Sequence, residues 1–248
     1  MSNNPLFAAG PRFASIDALR GVAIVWMTAF HFCFDLNHFG YLQQDFYNDP
    51  WWTWQRSAIV SLFLFCAGLG QSVAVDQRQD TRRFWKRWAQ VAGCALLVTV
   101  SSYFVFPKSF IYFGVLHGIA LMLLIVRFTS GWGRWLWLAG AAAIALKFAA
   151  SGAHAMWPSL DFLNSRPWNW LGLISRKPQT EDYVPLIPWV GAMWWGMAAG
   201  QWLLERRRDL LNRPLARAWA PFAWLGRWSL SWYVLHQPIL FGILLSLR

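Results

Sequence analysis

Charge is scarce in this chain. Asp, Glu, Lys and Arg make up 13% of its 248 residues, against 57% hydrophobic. No stretch is both long and polar enough to form a separate soluble domain, so the sequence predicts a single domain over 15–248. A short flexible tail over 1–14, with Pro5, Gly10 and Pro11, precedes it. Acidic residues are scarcer than basic ones, 11 against 22, which leaves a formal charge of +11. The basic residues cluster in short loops between apolar segments, which is a topology signal, so a nucleic-acid partner is not expected. The three cysteines, Cys33, Cys66 and Cys94, all fall in apolar segments. Their spacing matches neither a disulfide framework nor a metal site, and they read as packing thiols. The first apolar segment carries Arg20 and His31 and is followed by no small-residue cleavage site, so it reads as a retained anchor rather than a cleaved signal peptide. There is also no internal repeat of the kind that marks many transporters.

What the chain does have is a succession of long apolar runs, which predicts an all-α, polytopic membrane helix bundle. Seven transmembrane helices are expected, at about 17–37, 53–75, 88–106, 110–128, 134–150, 183–204 and 228–247, with the longest polar stretch at 151–182. Several of the 20 tryptophans flank these runs (Trp51, Trp52, Trp85, Trp132, Trp135 and Trp228 among them), as interfacial belts do. Gly68 with Gly70, and Gly196-x-x-x-Gly200, offer small-residue surfaces for close helix packing. Seven spans put the termini on opposite sides. With the N-terminus inside, the outer side receives only Arg56, Lys108, Lys147, Arg166, Arg176, Lys177 and Arg248 of the 22 basic residues, leaving fifteen inside. That bias places the N-terminus in the cytoplasm.

The first segment organises the rest. Arg20 and His31 are eleven residues apart. On a helix they return to within about 20° of each other, about 16 Å apart along the axis. Asp17, Arg20, Ile24, Thr28, His31 and Asp35 therefore form one stripe. Ionisable groups at membrane depth are costly and tend to face a bundle interior or cavity where they carry function. In the predicted topology Arg20 lies near the cytoplasmic face. His31, His117 and His236 share a layer at or above the bilayer centre, and Asp35 and His38 sit at the outer interface. Asp35, one turn from His31, can orient its imidazole for general-base work. Plainer readings stand beside these: Asp17 with Arg20 as an i, i+3 ion pair, and the histidines as hydrogen-bonded core residues. Ser57, Ser61, Ser101 and Ser102 carry no mark of a nucleophile.

Asp17-Ala18-Leu19-Arg20-Gly21 with His31, in which ten residues separate Arg20 from the histidine, is similar to the first-helix motif of the membrane acyltransferase-3 family. More of the chain resembles bacterial relatives of heparan-alpha-glucosaminide N-acetyltransferase. The stretches that carry the resemblance are Leu19-Arg20-Gly21 through His31-Phe32-Cys33-Phe34-Asp35-Leu36, Leu62 to Gly68, Phe113-Gly114-Val115-Leu116-His117, Pro185-Leu186-Ile187-Pro188-Trp189, and Leu225 to Leu230 with Tyr233 and Leu235-His236-Gln237-Pro238. The resemblance implies transfer of an acyl group, acetyl in the first instance, from cytoplasmic acetyl-CoA (acyl-CoA) to a sugar on the far side of a bacterial inner membrane. The acceptor would be a hydroxyl or amine of an envelope glycan or glycolipid. It implies a role for the first-helix histidine and the arginine below it, with His38 as a second position for the catalytic histidine. Arg20, beside Asp17 and with Arg82, Arg83 and Arg227 of the inner loops, would then hold the donor's phosphates. His31 with Asp35 would remove the acceptor's proton, and His117 or His236 would stabilise the oxyanion. No metal is called for, membrane lipids are the standing partner, and a homodimer is left open. The rival reading of the same stripe is a permease or flippase for a small anionic or sugar-like solute.

Overall fold

The computed structural model describes residues 12–247; of the tail expected over 1–14, residues 1–11 lie outside them. The described chain is a helical bundle. Its long helices are α1 (Ala14–His38), α2 (Pro50–Asp76), α3 (Thr81–Val105), α4 (Val115–Phe128), α5 (Trp135–Met156), α6 (Leu186–Arg206) and α9 (Ser229–Ser246), with the short α7 (Arg208–Asn212) and α8 (Ala220–Arg227) between the last two. Among the described residues five helices are long and apolar enough to cross a membrane: α1, α2, α3, α5 and α9. The 14-residue α4 is apolar but shorter.

The helices differ from the expected ones at places with physical causes. The third begins at Thr81, so Arg82, Arg83, Lys86 and Arg87 lie on its first turns and not in a loop. The fourth begins at Val115, not at 110, because the preceding segment pairs with the chain before α6. There Glu181 N–H donates to Ser109 (2.9 Å), Val184 N–H donates to Phe113 (3.1 Å), and Phe113 bridges Tyr183. The sixth begins at Leu186, with Ile187 in an extended conformation before Pro188, as a residue preceding proline prefers. The seventh is preceded by α8, separated from it by Trp228.

Backbone contacts at glycines set the packing. A Cβ on Gly68 would run into the Met193 carbonyl and one on Gly196 into the Phe65 carbonyl, so α2 and α6 lie in direct backbone contact. Gly200 against Ser72 continues that contact, and Arg208, at the start of α7 just beyond α6, pairs with Asp76 at the end of α2 at 2.7 Å. α2 and α6 therefore run parallel. α5 runs antiparallel to α6, with Gly140 against Gly191 and the Trp195 indole donating to the Trp137 carbonyl (3.0 Å). The apolar core around Leu64, Met122, Val126, Leu136, Val190, Met193 and Met197 joins α2, α4, α5 and α6. Apolar side chains of α3 and α5, such as Leu96, Val100, Phe104, Leu138 and Phe148, remain exposed, the distribution expected where lipid replaces water as solvent.

Candidate functional site

The stripe on α1 faces the interior. Asp17, Ile24 and Asp35 are buried, and each polar member meets another helix. At one end the Arg20 guanidinium holds Asp17 at 3.0 Å, and Arg12 approaches the same carboxylate at 3.6 Å. Arg20 lies over Gly70 of α2, where a Cβ would stand 3.5 Å from its Nη2. α8 crosses α1 here. A Cβ on Gly226 would collide with the Asp17 carbonyl and one on Gly21 with the Phe222 carbonyl, so only glycine permits this approach. Arg227, next in chain, is exposed at this end. Arg87 of α3 is in electrostatic contact with Arg20, Arg12, Asp17 and Arg83. Arg82 and Arg83 are exposed on the first turn of α3. The basic residues expected to act together are thus gathered at one end of the bundle, and Arg87 joins them. Its position in the presumed loop hid it; a helix starting at Thr81 puts Arg83 and Arg87 four residues apart on one face.

α9 runs parallel to α1 and meets the stripe three times. The Trp232 indole donates to Thr28 Oγ1 (2.9 Å), the His236 ring lies against His31 with centroids 5.1 Å apart, and Gln237 Nε2 donates to Asp35 Oδ1 (2.6 Å). This corrects one expectation. Asp35 does not hold the His31 imidazole: its carboxylate is turned to Gln237 on the neighbouring helix, and the His31 ring packs between Phe30 and His236. The i, i+4 spacing allowed the His31–Asp35 pair, but the half-buried Gln237 amide on α9 donates to the oxygen instead. Asp35 Oδ2 and Gln237 Oε1 are both buried without a partner.

Hydrogen bonds fix what each histidine can do. His236 Nδ1 lies 2.8 Å from the Tyr233 carbonyl, so it carries the proton there. The neutral ring then keeps its lone pair on Nε2, which is buried and has no partner. That atom is a proton acceptor, not the oxyanion donor that the sequence suggested for the neutral ring. His117 is different. Its Nδ1 accepts from the Gly114 N–H (3.3 Å), its Nε2 faces Thr99 Oγ1 (3.0 Å), and that hydroxyl donates to the Ile111 carbonyl (2.8 Å). Both nitrogens are engaged, so His117 ties the start of α4 to α3, and no ring atom is left for base or oxyanion duty. His38 is exposed at the end of α1, its ring 5.6 Å from Phe241, with Asp35 in electrostatic contact.

Two further residues belong to this region. Asp182 accepts from the Val115 N–H (2.7 Å) at the N-terminus of α4 and from the Tyr233 hydroxyl. The Tyr233 ring is 6.0 Å from His236. Asp182 thus links the polar loop, α4 and the helix that carries His236. In the sequence it closes the polar stretch 151–182; only the fold brings it to α9. Burial raises its carboxyl above the ordinary value, opposed by the Val115 N–H and by Arg56 and Lys177. The described residues contain no cluster of metal-ligating side chains.

A helical bundle with five apolar spans, an interior ionisable face and a histidine pair within it defines a polytopic membrane protein. Residues 12–238 match the family described as heparan-alpha-glucosaminide N-acetyltransferase, catalytic, and the chain belongs to that family. No curated protein and no solved structure matches it. Membership makes it a relative of a membrane acetyltransferase.

Proposed function

We propose that the protein is a transmembrane acyltransferase that moves an acyl group, acetyl first, from cytoplasmic acyl-CoA to a sugar hydroxyl or amine of an envelope glycan or glycolipid on the outer side of a bacterial inner membrane. In this reading α1 to α6 and α9 are seven alternating passes, with the N-terminus cytoplasmic. The observation that carries the proposal is the His31–His236 pair, with centroids 5.1 Å apart on the same stripe as the Arg20 cluster.

Acetyl-CoA is polyanionic, and Arg20, Arg82, Arg83, Arg87 and Arg227 offer guanidinium donors for its phosphates. Asp17 fixes Arg20 in place at 3.0 Å. The thioester then reaches along the α1 stripe toward the histidine pair. His236 Nε2, the acceptor atom without a partner, takes the proton from the sugar O–H or N–H while that heteroatom attacks the thioester carbonyl. A C–O or C–N bond forms, the C–S bond breaks, and the departing CoA thiolate recovers the proton. His31 lies against the His236 ring and holds it in place. A positioned base of this kind contributes about 10²–10⁴-fold. Asp35 with Gln237, and His38 beside Phe241, hold α9 against the end of α1 and so keep the two rings together.

The test is CoA release from acetyl-CoA by the purified protein with candidate sugars. His31→Ala and His236→Gln should each lower turnover at least about 100-fold. Arg20→Ala should weaken acetyl-CoA binding. Turnover unchanged in both histidine variants refutes the mechanism, and undiminished donor affinity in the arginine variant refutes the donor site. A protein that moves solute across vesicles and releases no CoA is a permease.

A further inference from the structure

The loop between α5 and α6 folds over the start of α4 and leaves a pocket of about 290 Å³. Its size is near the lower end of the roughly 300–1,000 Å³ usual for small-molecule sites, enough for one sugar-sized unit. Its chemistry is one-sided. The Arg166 guanidinium sits in the corner of two aromatic rings, 4.4 Å from the Phe110 centroid and 4.6 Å from that of Tyr112. It has no ion-pair partner among the described residues. Lys108 shares the pocket and also lacks one. Asp161 stands one step behind, reached through Asn164 (2.9 Å), and is neutralised by Arg176 at 2.5 Å. The remaining polar lining is amide: Asn164, Asn169 and Gln179. Asn169 is 2% exposed and gives its Nδ2 to the Tyr112 hydroxyl (2.8 Å), but its Oδ1 has no partner.

We propose that this pocket binds an acidic sugar, one carrying a phosphate or carboxylate. Arg166 and Lys108 would receive the acidic group, and Asn169 and Gln179 the ring hydroxyls; Asn164, engaged with Asp161, Ser175 and the Arg176 N–H, shapes the wall. The two rings, set edge-to-face at 72°, orient Arg166 before any ligand arrives, so little side-chain freedom is lost on binding. The pocket connects to the histidine pair through contacts already described. The Tyr183 hydroxyl donates to the Asn169 carbonyl (2.6 Å), Asp182 precedes Tyr183, and Asp182 meets Tyr233 beside His236. The inference rests on the acceptor being met at this end of the bundle, and it names the acceptor's class: a sugar unit held by its acidic group remote from the reacting atom. Such remote binding contributes to positioning at the reacting centre.

The experiment is calorimetric titration of the detergent-purified full chain, with no acyl donor present, by glucose 6-phosphate, glucuronate, glucose and glycerol 1-phosphate. The acidic sugars should bind at least tenfold more tightly than glucose. Lys108→Gln and Arg166→Gln should each weaken glucose 6-phosphate about tenfold, the loss of one charge-assisted contact, and leave glucose unaffected. Arg166→Lys should retain part of the preference. If Arg166→Gln fails to fold, Lys108→Gln still decides. Equal affinity for glucose, or affinities unchanged in both variants, overturns the proposal. Glycerol 1-phosphate binding as tightly as glucose 6-phosphate also overturns it, because the site would then be reading a lipid phosphate. Since no donor is present, a chain that binds acidic sugars yet never releases CoA retires the acyltransferase and keeps the pocket. A chain that acylates neutral sugars with no acidic preference does the reverse.

Discussion

Asp35 offers a sharp test, because two assignments of the same carboxylate predict opposite results. If it orients His31 as an anion, Asp35→Asn should abolish turnover. In the structure it is instead half of a clamp between α1 and α9, accepting from Gln237 Nε2 at 2.6 Å. Its other oxygen and Gln237 Oε1 are both buried acceptors with no donor. Asparagine keeps an acceptor for Gln237 Nε2 and replaces the idle oxygen with an N–H₂ that can serve Gln237 Oε1. The loss of one charge-assisted bond, about 1.5–3 kcal/mol, is then offset by a neutral bond of about 0.5–1.5 kcal/mol and by relief of an unsatisfied buried acceptor, about 1–3 kcal/mol. Asp35→Asn should therefore remain within about 1 kcal/mol of wild type. Asp35→Ala removes the acceptor, strands the Gln237 amide and opens a cavity. It should cost about 2 kcal/mol, or a fall in Tm of roughly 4–8 °C for a chain of this size. The assay is thermal unfolding of purified protein in detergent alongside CoA release. If Asp35→Asn falls as far as Asp35→Ala in Tm, the clamp is wrong. If it keeps its Tm and loses all turnover, the carboxylate acts in the chemistry after all.

Three other outcomes follow from the packing. His117→Ala should lower stability by about 1–3 kcal/mol, because Thr99 Oγ1 and the Gly114 N–H lose their partner, while the folded fraction keeps its turnover; activity lost at unchanged Tm would contradict its role as a fastener. Gly226→Ala drives a Cβ into the Asp17 carbonyl and should destabilise by about 1–3 kcal/mol or more, whereas Gly93→Ala, with open space around its Cβ, should be silent; equal Tm values for the two variants would refute the tight α1–α8 crossing. For Asp182, burial raises the folded-state carboxyl, so its favourable contribution is complete below the ordinary value of about 3.9 and is lost as pH rises through the higher folded value. Stability of wild type relative to Asp182→Asn should therefore decline on going upward from about pH 4, and a relative stability that rises with pH would overturn the burial argument.

The sequence carried the helices and the stripe because both depend on local periodicity. Hydropathy alone finds α1, α2, α3, α5 and α9, and a 3.6-residue period alone puts Asp17, Arg20, His31 and Asp35 on one face. Partners were another matter. Whether Asp35 meets His31 or Gln237 depends on the register of a helix 202 residues away, and no spacing within α1 encodes it. The same holds for Asp182, which ends the polar stretch 151–182 and which the fold carries to Tyr233. His117 shows the converse error. A histidine in an apolar run reads as costly and therefore functional, yet the 110–114 segment is not helical, and its free Gly114 N–H and the Thr99 hydroxyl satisfy both ring nitrogens. His236 escapes that fate for a local reason. A bond to the Tyr233 carbonyl one turn back engages its Nδ1, and nothing in the fold supplies a donor to its Nε2. Of His31, His117 and His236, the one whose hydrogen bonds leave a lone pair beside His31 is thus the one to which the proton transfer is assigned.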